Sequence, residues 1–198
     1  MFWCRYFSKF LFFLVFIILS CLNKSYATNG AKIVAFVNND VITDVDVNEF
    51  EKNLCKIDTR FKCGSRESKY ISLHSLVEST LKLEHFKQIA DITENKTINK
   101  NFSSYKEQVL KKMKLAKKDI SMTFENYLYA EYLWGIMVSS QAHNEKISES
   151  ELNNFMKNKK ISDAKIAKEM LLNDKINNIS QKTMNEIKQF YYVEIKEL

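Results

Sequence analysis

Lys32-Ile33-Val34-Ala35-Phe36-Val37-Asn38-Asn39-Asp40-Val41-Ile42-Thr43 sets the plan of this chain. A β-branched apolar run meets a turn-forming Asn-Asn-Asp cluster and a second apolar pair, which predicts two short strands about a tight turn. Thr43 then offers an N-cap oxygen, with Asp46 three residues on in the manner of a capping box. A helix is expected over about residues 44–54. At the other end, Tyr191-Tyr192-Val193-Glu194-Ile195-Lys196 alternates as a strand, with Tyr191, Val193 and Ile195 on one face. A lone strand at each end needs a partner. The economical solution pairs the N-terminal strand with the C-terminal one.

Everything between them reads as helix. Proline is absent and glycine occurs three times, at positions 30, 64 and 135. So few breakers favour long helices, and no two glycines lie close enough to build a phosphate loop. Over residues 67–91, Tyr70, Leu73, His74, Val77 and Leu81 fall on one stripe. His74 is read as a residue at the edge of the core. Residues 93–118 are polar and lysine-rich, with spaced Phe102, Tyr105, Val109 and Met113, predicting one or two solvent-facing helices. Ser148 and Glu151 form an S-x-x-E box that starts a short helix to about Asn158. A long helix should follow over 162–189, with Ile166, Met170, Ile176, Met184 and Ile187 aligned.

Residues 123–143 differ from the rest. Their apolar side chains surround the axis at 100° per residue, where a surface helix keeps one polar face. Such a helix is either central in the core or offers apolar surface to a partner, and the sequence leaves both open.

The first 27 residues have the order of a secretory signal. Arg5 and Lys9 flank an apolar run from Phe10 to Leu19, and Ser25-Tyr26-Ala27 supplies small residues for cleavage. The run is about half the ~20 residues of a spanning helix, and no other segment approaches that length. Ile18-Leu19-Ser20-Cys21 also resembles a lipobox, which would lipidate Cys21. Without Arg5, Lys9 and Lys24, 27 basic face 24 acidic side chains, a net charge of +3 in place of +6. The two signs are interspersed, which gives little support for nucleic-acid binding. Cys4 and Cys21 fall in the signal. The remaining pair, Cys55 and Cys63, reads as a disulfide in an exported chain, with two free thiols as the alternative. A metal site is not expected, since no histidine neighbours the pair.

A family resemblance rests on three stretches. Val37-Asn38-Asn39-Asp40-Val41-Ile42-Thr43 with Asp46-Val47 resembles the strand, V-N-x-x-x-I-T turn and capped helix that open SurA-type periplasmic chaperones. Leu76-Val77, Leu81, Leu83 and Glu84 resemble that family's second helix. Ile147-Ser148-Glu149-Ser150-Glu151-Leu152 resembles the I-T-x-x-E-V signal closing its N-terminal domain, and the C-terminal helix and strand match in kind. The chain departs from the pattern at two points. The parvulin prolyl isomerase modules of the family are absent, since the stretches that would flank them nearly adjoin. The Cys55 and Cys63 segment has no counterpart.

The resemblance implies a mainly α-helical, SurA-like core with a small β element formed by both ends of the mature chain. It implies a signal at 1–27 and one domain over 28–198, divided into an N-terminal part (28–160) and a C-terminal helix and strand (161–198). The implied function is an ATP-independent periplasmic holdase without cofactor. Its partners would be unfolded outer-membrane or exported polypeptides, with no nucleic acid and no transmembrane span. Enzymatic prolyl isomerisation is not expected without the module. A protein with one fixed partner, periplasmic or lipid-anchored, is the other reading. The expected client contacts are Met122, Phe124, Tyr127, Tyr129, Tyr132, Trp134 and Met137.

Overall fold

A computed structural model describes residues 30–57, 61–89 and 96–196. The signal segment and Cys21 lie outside the described residues. Strand β1 (Ile33–Val37) turns through Asn38 and Asn39 into β2 (Asp40–Thr43). Asn38 takes the left-handed φ of 51° that the tight turn requires, a conformation asparagine tolerates better than most residues. Helix α1 (Asp44–Ile57) starts where the capping box places it. Thr43 N–H donates to Asp46 Oδ2 at 2.8 Å, and Asp46 N–H donates to Thr43 Oγ1 at 3.2 Å. The chain continues through α2 (Arg66–Ile89), α3 (Lys96–Lys112), α4 (Met122–Asn144), α5 (Glu149–Lys159), α6 (Ala164–Phe190) and β3 (Val193–Ile195). The result is a mainly α-helical protein with one small antiparallel sheet.

The sheet has the order β2-β1-β3, so the N-terminal strand is central and the C-terminal strand lies beside it. Ala35, Phe36 and Val37 oppose Ile195, Glu194 and Val193. Asn38 extends this pairing. Its N–H donates to Tyr192 O at 2.8 Å, and its Oδ1 accepts from Tyr192 N–H at 3.0 Å. The buried side chains of β1, Val34, Ala35 and Val37, join the main core with Val47 and Phe50 of α1 and Leu73, Leu76, Val77 and Leu81 of α2.

Helix α4 is the centre of the helical layer. It packs against α1, α2, α3 and α6, which explains why its sequence lacks a polar face. It begins one residue before the expected start, because Ser121 Oγ accepts from Phe124 N–H at 3.2 Å and caps it. Two lysines reach its acids from neighbouring helices. Lys82 of α2 pairs with Glu131 and Lys106 of α3 with Glu125, each lysine side chain being largely buried.

Two apolar stripes differ from expectation. Tyr70 is exposed and lies on His74 with ring centroids 4.2 Å apart, so the buried face of α2 runs through Leu73, Leu76, Val77, Leu81 and Phe86. In α6, Ile166 and Met170 are exposed, and Ala167 and Leu171 are buried in their place. This helix packs against α5 as well as against α2 and α4. A single stripe along 27 residues cannot serve neighbours on different sides.

Cys55 and Cys63 are joined at disulfide distance, with Cα atoms 6.0 Å apart, inside the range a disulfide accepts. The turn that carries Cys63 is tied down beside them. Gly64, at φ +80°, donates its N–H to Glu51 Oε1 at 2.8 Å, and Ser68 Oγ donates to the same buried carboxylate. The cysteines are eight residues apart in sequence. Opening so short a loop by Cys55→Ser with Cys63→Ser should cost about 2–3 kcal/mol in the entropic account. Denaturant unfolding of the double variant measures this, and alkylation mass spectrometry on the oxidised protein should find neither thiol free.

Candidate functional site: an apolar groove beside β2

A groove of about 500 Å³ opens between β2, α2 and α4. Val41 and Ile42 line it from β2, Leu76, Leu83 and Phe86 from α2, and Met122, Tyr129 and Leu133 from α4. Its rim is polar, with Asp40, Asp46, Thr80, Lys87 and Asn126. Lys87 is held in place by Glu84, with Asp40 Oδ2 at 3.8 Å. Hydrogen bonding to Glu84 is the largest influence raising its pKa, so the rim keeps a fixed cation.

The hairpin register determines what β2 offers to the groove. Val37 and Asp40 close the two-residue turn, and Ala35 opposes Ile42. These are the hydrogen-bonded pairs, because Asn38 N–H and Val34 O bond to the other side, towards β3. Val41 falls between them, so its N–H and C=O point away from β1 to the outer edge. The next outward N–H, on Thr43, is satisfied by Asp46. The Val41 side chain is 45 % exposed. An edge strand of four residues with one outward-facing valine offers extended backbone a short ladder and little more.

The seven expected contact residues separate into two groups. Met122, 79 % exposed, and Tyr129 line the groove. Tyr129 Oη donates to Asn99 Oδ1 at 3.2 Å, and its ring meets Phe102 at 4.8 Å. The other five are built into the packing. Phe124 is fully buried against Phe50, with centroids 5.7 Å apart, and Tyr127 packs on the same ring at 5.0 Å. Tyr132 lies between Phe102 and Tyr105, and Met137 packs against the core. Trp134 is 5 % exposed, its indole N–H donating to Ser180 Oγ on α6 at 2.8 Å.

No protein-family model matches this chain, and no curated protein matches it.

Burial pushes the Tyr127 hydroxyl up to about 12, with Glu131, Tyr105 and Glu78 adding to it, and burial raises Tyr129 and Tyr105 as well. Of these three phenols, Tyr129 lines the groove, and Tyr105 and Tyr127 pack against the core. Burial lowers the pKa of His85. Among the described residues no three His, Cys, Asp or Glu side chains cluster to hold a metal ion. No helix of the described residues is long and apolar enough to cross a membrane.

Sequence reasoning missed Val41, Leu83 and Phe86 as groove residues. For Val41 a signal existed. The Asn38-Asn39 turn fixes the hairpin pairing, which leaves Val41 between the hydrogen-bonded pairs, at the open edge of β2.

Proposed function

We propose that the protein is an ATP-independent holdase of the SurA type. It would receive unfolded outer-membrane or exported polypeptides in the groove beside β2 and release them passively. The observation that carries this reading is the groove itself, with apolar walls, a polar rim, an exposed methionine at its mouth and an unpaired strand edge along one side. An extended client gains from each apolar group it buries, at roughly 25 cal/mol per Å². It can add a backbone hydrogen bond at Val41, in the manner of strand addition. Methionine and tyrosine adapt to many client side chains, which suits a broad and weak binder. The resemblance of residues 37–47, 76–84 and 147–152 to the SurA-type chaperones supports the same reading, and so does the signal-like order of residues 1–27.

The test is suppression of aggregation of an unfolded outer-membrane protein without nucleotide, with prolyl isomerisation of a proline peptide measured beside it. The parent protein should suppress aggregation and leave isomerisation at the uncatalysed rate. Met122→Gln with Tyr129→Ala should weaken suppression several-fold and leave cooperative unfolding intact. A parent protein without any effect on aggregation would replace the holdase with the single-partner reading. Accelerated isomerisation would restore an enzymatic one.

A further inference from the structure

We infer that the lysine-rich turn over residues 111–118 docks the protein on an anionic phospholipid surface. Five lysines, Lys111, Lys112, Lys114, Lys117 and Lys118, fall within eight residues, with no acid between Glu107 and Asp119. All five are exposed, and the structure gives none of them an ion pair. Other exposed lysines, such as those over residues 157–168, are more widely spaced and have Asp163 among them, and several lysines elsewhere are paired. Lys82, Lys87, Lys106, Lys175 and Lys188 each meet a glutamate. Lys56 of α1 adds to the patch, since its Nζ donates to Asp119 O at 3.0 Å.

The turn is firmly built. Leu115 N–H donates to Leu110 O at 2.9 Å and Lys114 N–H to Lys111 O at 3.1 Å, the paired bonds of a Schellman ending. Asp119 then caps the 3-10 turn Lys117–Asp119 by accepting from Ala116 N–H at 3.2 Å. Lys114 occupies the left-handed position, φ 55°, where glycine is the unstrained residue. Favourable contact with the helix dipole accounts for Lys111 and Lys112 in the last turn of α3. It does not account for Lys114, Lys117 and Lys118, which lie beyond the helix.

The choice of lipid over another polyanion rests on Met122. This side chain is 79 % exposed and stands four residues after Lys118, at the start of α4. A lipid surface takes both the cations and an apolar side chain inserted among the headgroups. The backbone of a polynucleotide or an acidic protein patch meets the charges but offers no apolar layer for the methionine to enter. Clusters of four to eight cationic side chains suffice for such adsorption, and salt screens it. The five lysines play no part in the holdase reading, and Met122 is the one residue the two share.

The experiment is co-sedimentation of the full chain with vesicles of phosphatidylglycerol mixed with phosphatidylcholine, and with vesicles of phosphatidylcholine alone. The protein should bind the anionic vesicles, ignore the neutral ones and be released by high salt. The variant K111Q/K112Q/K114Q/K117Q/K118Q should bind at least tenfold more weakly. The control K157Q/K159Q/K160Q/K165Q/K168Q changes net charge equally on α5, α6 and their connection, and should bind like the parent. Thermal melts of both variants should overlay the parent, and the salt dependence of the parent stands as a measurement free of any substitution. Equal losses in the two variants would overturn the assignment to this turn. Absence of vesicle binding, or binding to a DNA duplex in its place, would overturn the lipid surface as partner.

Discussion

Trp134→Ala should unfold the protein at moderate denaturant, with a loss of about 3–5 kcal/mol, the usual cost of emptying a buried aromatic site. The ring is 5 % exposed, lies edge-on to Phe86 at 6.4 Å between centroids, and has Lys82 Nζ over its face at 5.3 Å. That lysine is held by Glu131 on the same helix as the tryptophan. Removing the indole therefore takes away core volume, a cation–π contact and the hydrogen bond to Ser180 at 2.8 Å. A domain of this size has about 5–15 kcal/mol in total, so a large share is lost. Trp134→Phe keeps most of the volume and forfeits chiefly the hydrogen bond, for a smaller loss of about 1 kcal/mol. Denaturation midpoints of the two variants measure the contrast. A Trp134→Ala midpoint equal to the parent's would mean that α4 is not the centre of the fold.

Ending the chain at Phe190 should be comparably damaging. The truncation removes the buried Tyr191 side chain and strips β1 of its partner on one side. It also deletes the bonds from Asn38 N–H to Tyr192 O and from Lys196 N–H to Val34 O, each 2.8 Å. Burial of one large side chain and several backbone hydrogen bonds together amount to on the order of 5 kcal/mol. Hydrogen exchange should show loss of protection at Phe36 and Asn38, whose N–H groups face β3, before the helices respond. Unchanged melting of the truncated protein would show that β3 adds nothing to the closure.

What the sequence revealed and what it hid follow from the range of the interactions. The Thr43–Asp46 and Ser148–Glu151 helix starts rest on bonds spanning three residues, such as Glu151 N–H to Ser148 Oγ at 3.2 Å, and such bonds can be read from the string of residues. The helix expected from residue 162 starts two residues later, at Ala164, because Asp163 is its cap. Asp163 Oδ1 takes the N–H groups of Lys165 and Ile166, at 2.8 and 3.1 Å. Pairing of the chain ends followed from the cost of leaving strands alone. The stripes of α2 and α6 went wrong at Tyr70, Ile166 and Met170, because periodicity gives a face only where a helix has one neighbour. The groove was hidden for a different reason. Its walls come from three elements, and nothing local in Leu83 or Phe86 distinguishes a groove lining from an ordinary core position.

The central position of β1 also dictates an order of events. Residues 33–37 are complete early, but one of their two partners is 193–195, more than 150 residues further along the chain. Helices and the β1–β2 hairpin need only nearby residues and can form as soon as they are made. The last edge must wait, since closing so long a loop costs entropy that only the finished contacts return. Until then the β3 side of β1 stays open, and the polypeptide remains incompletely locked.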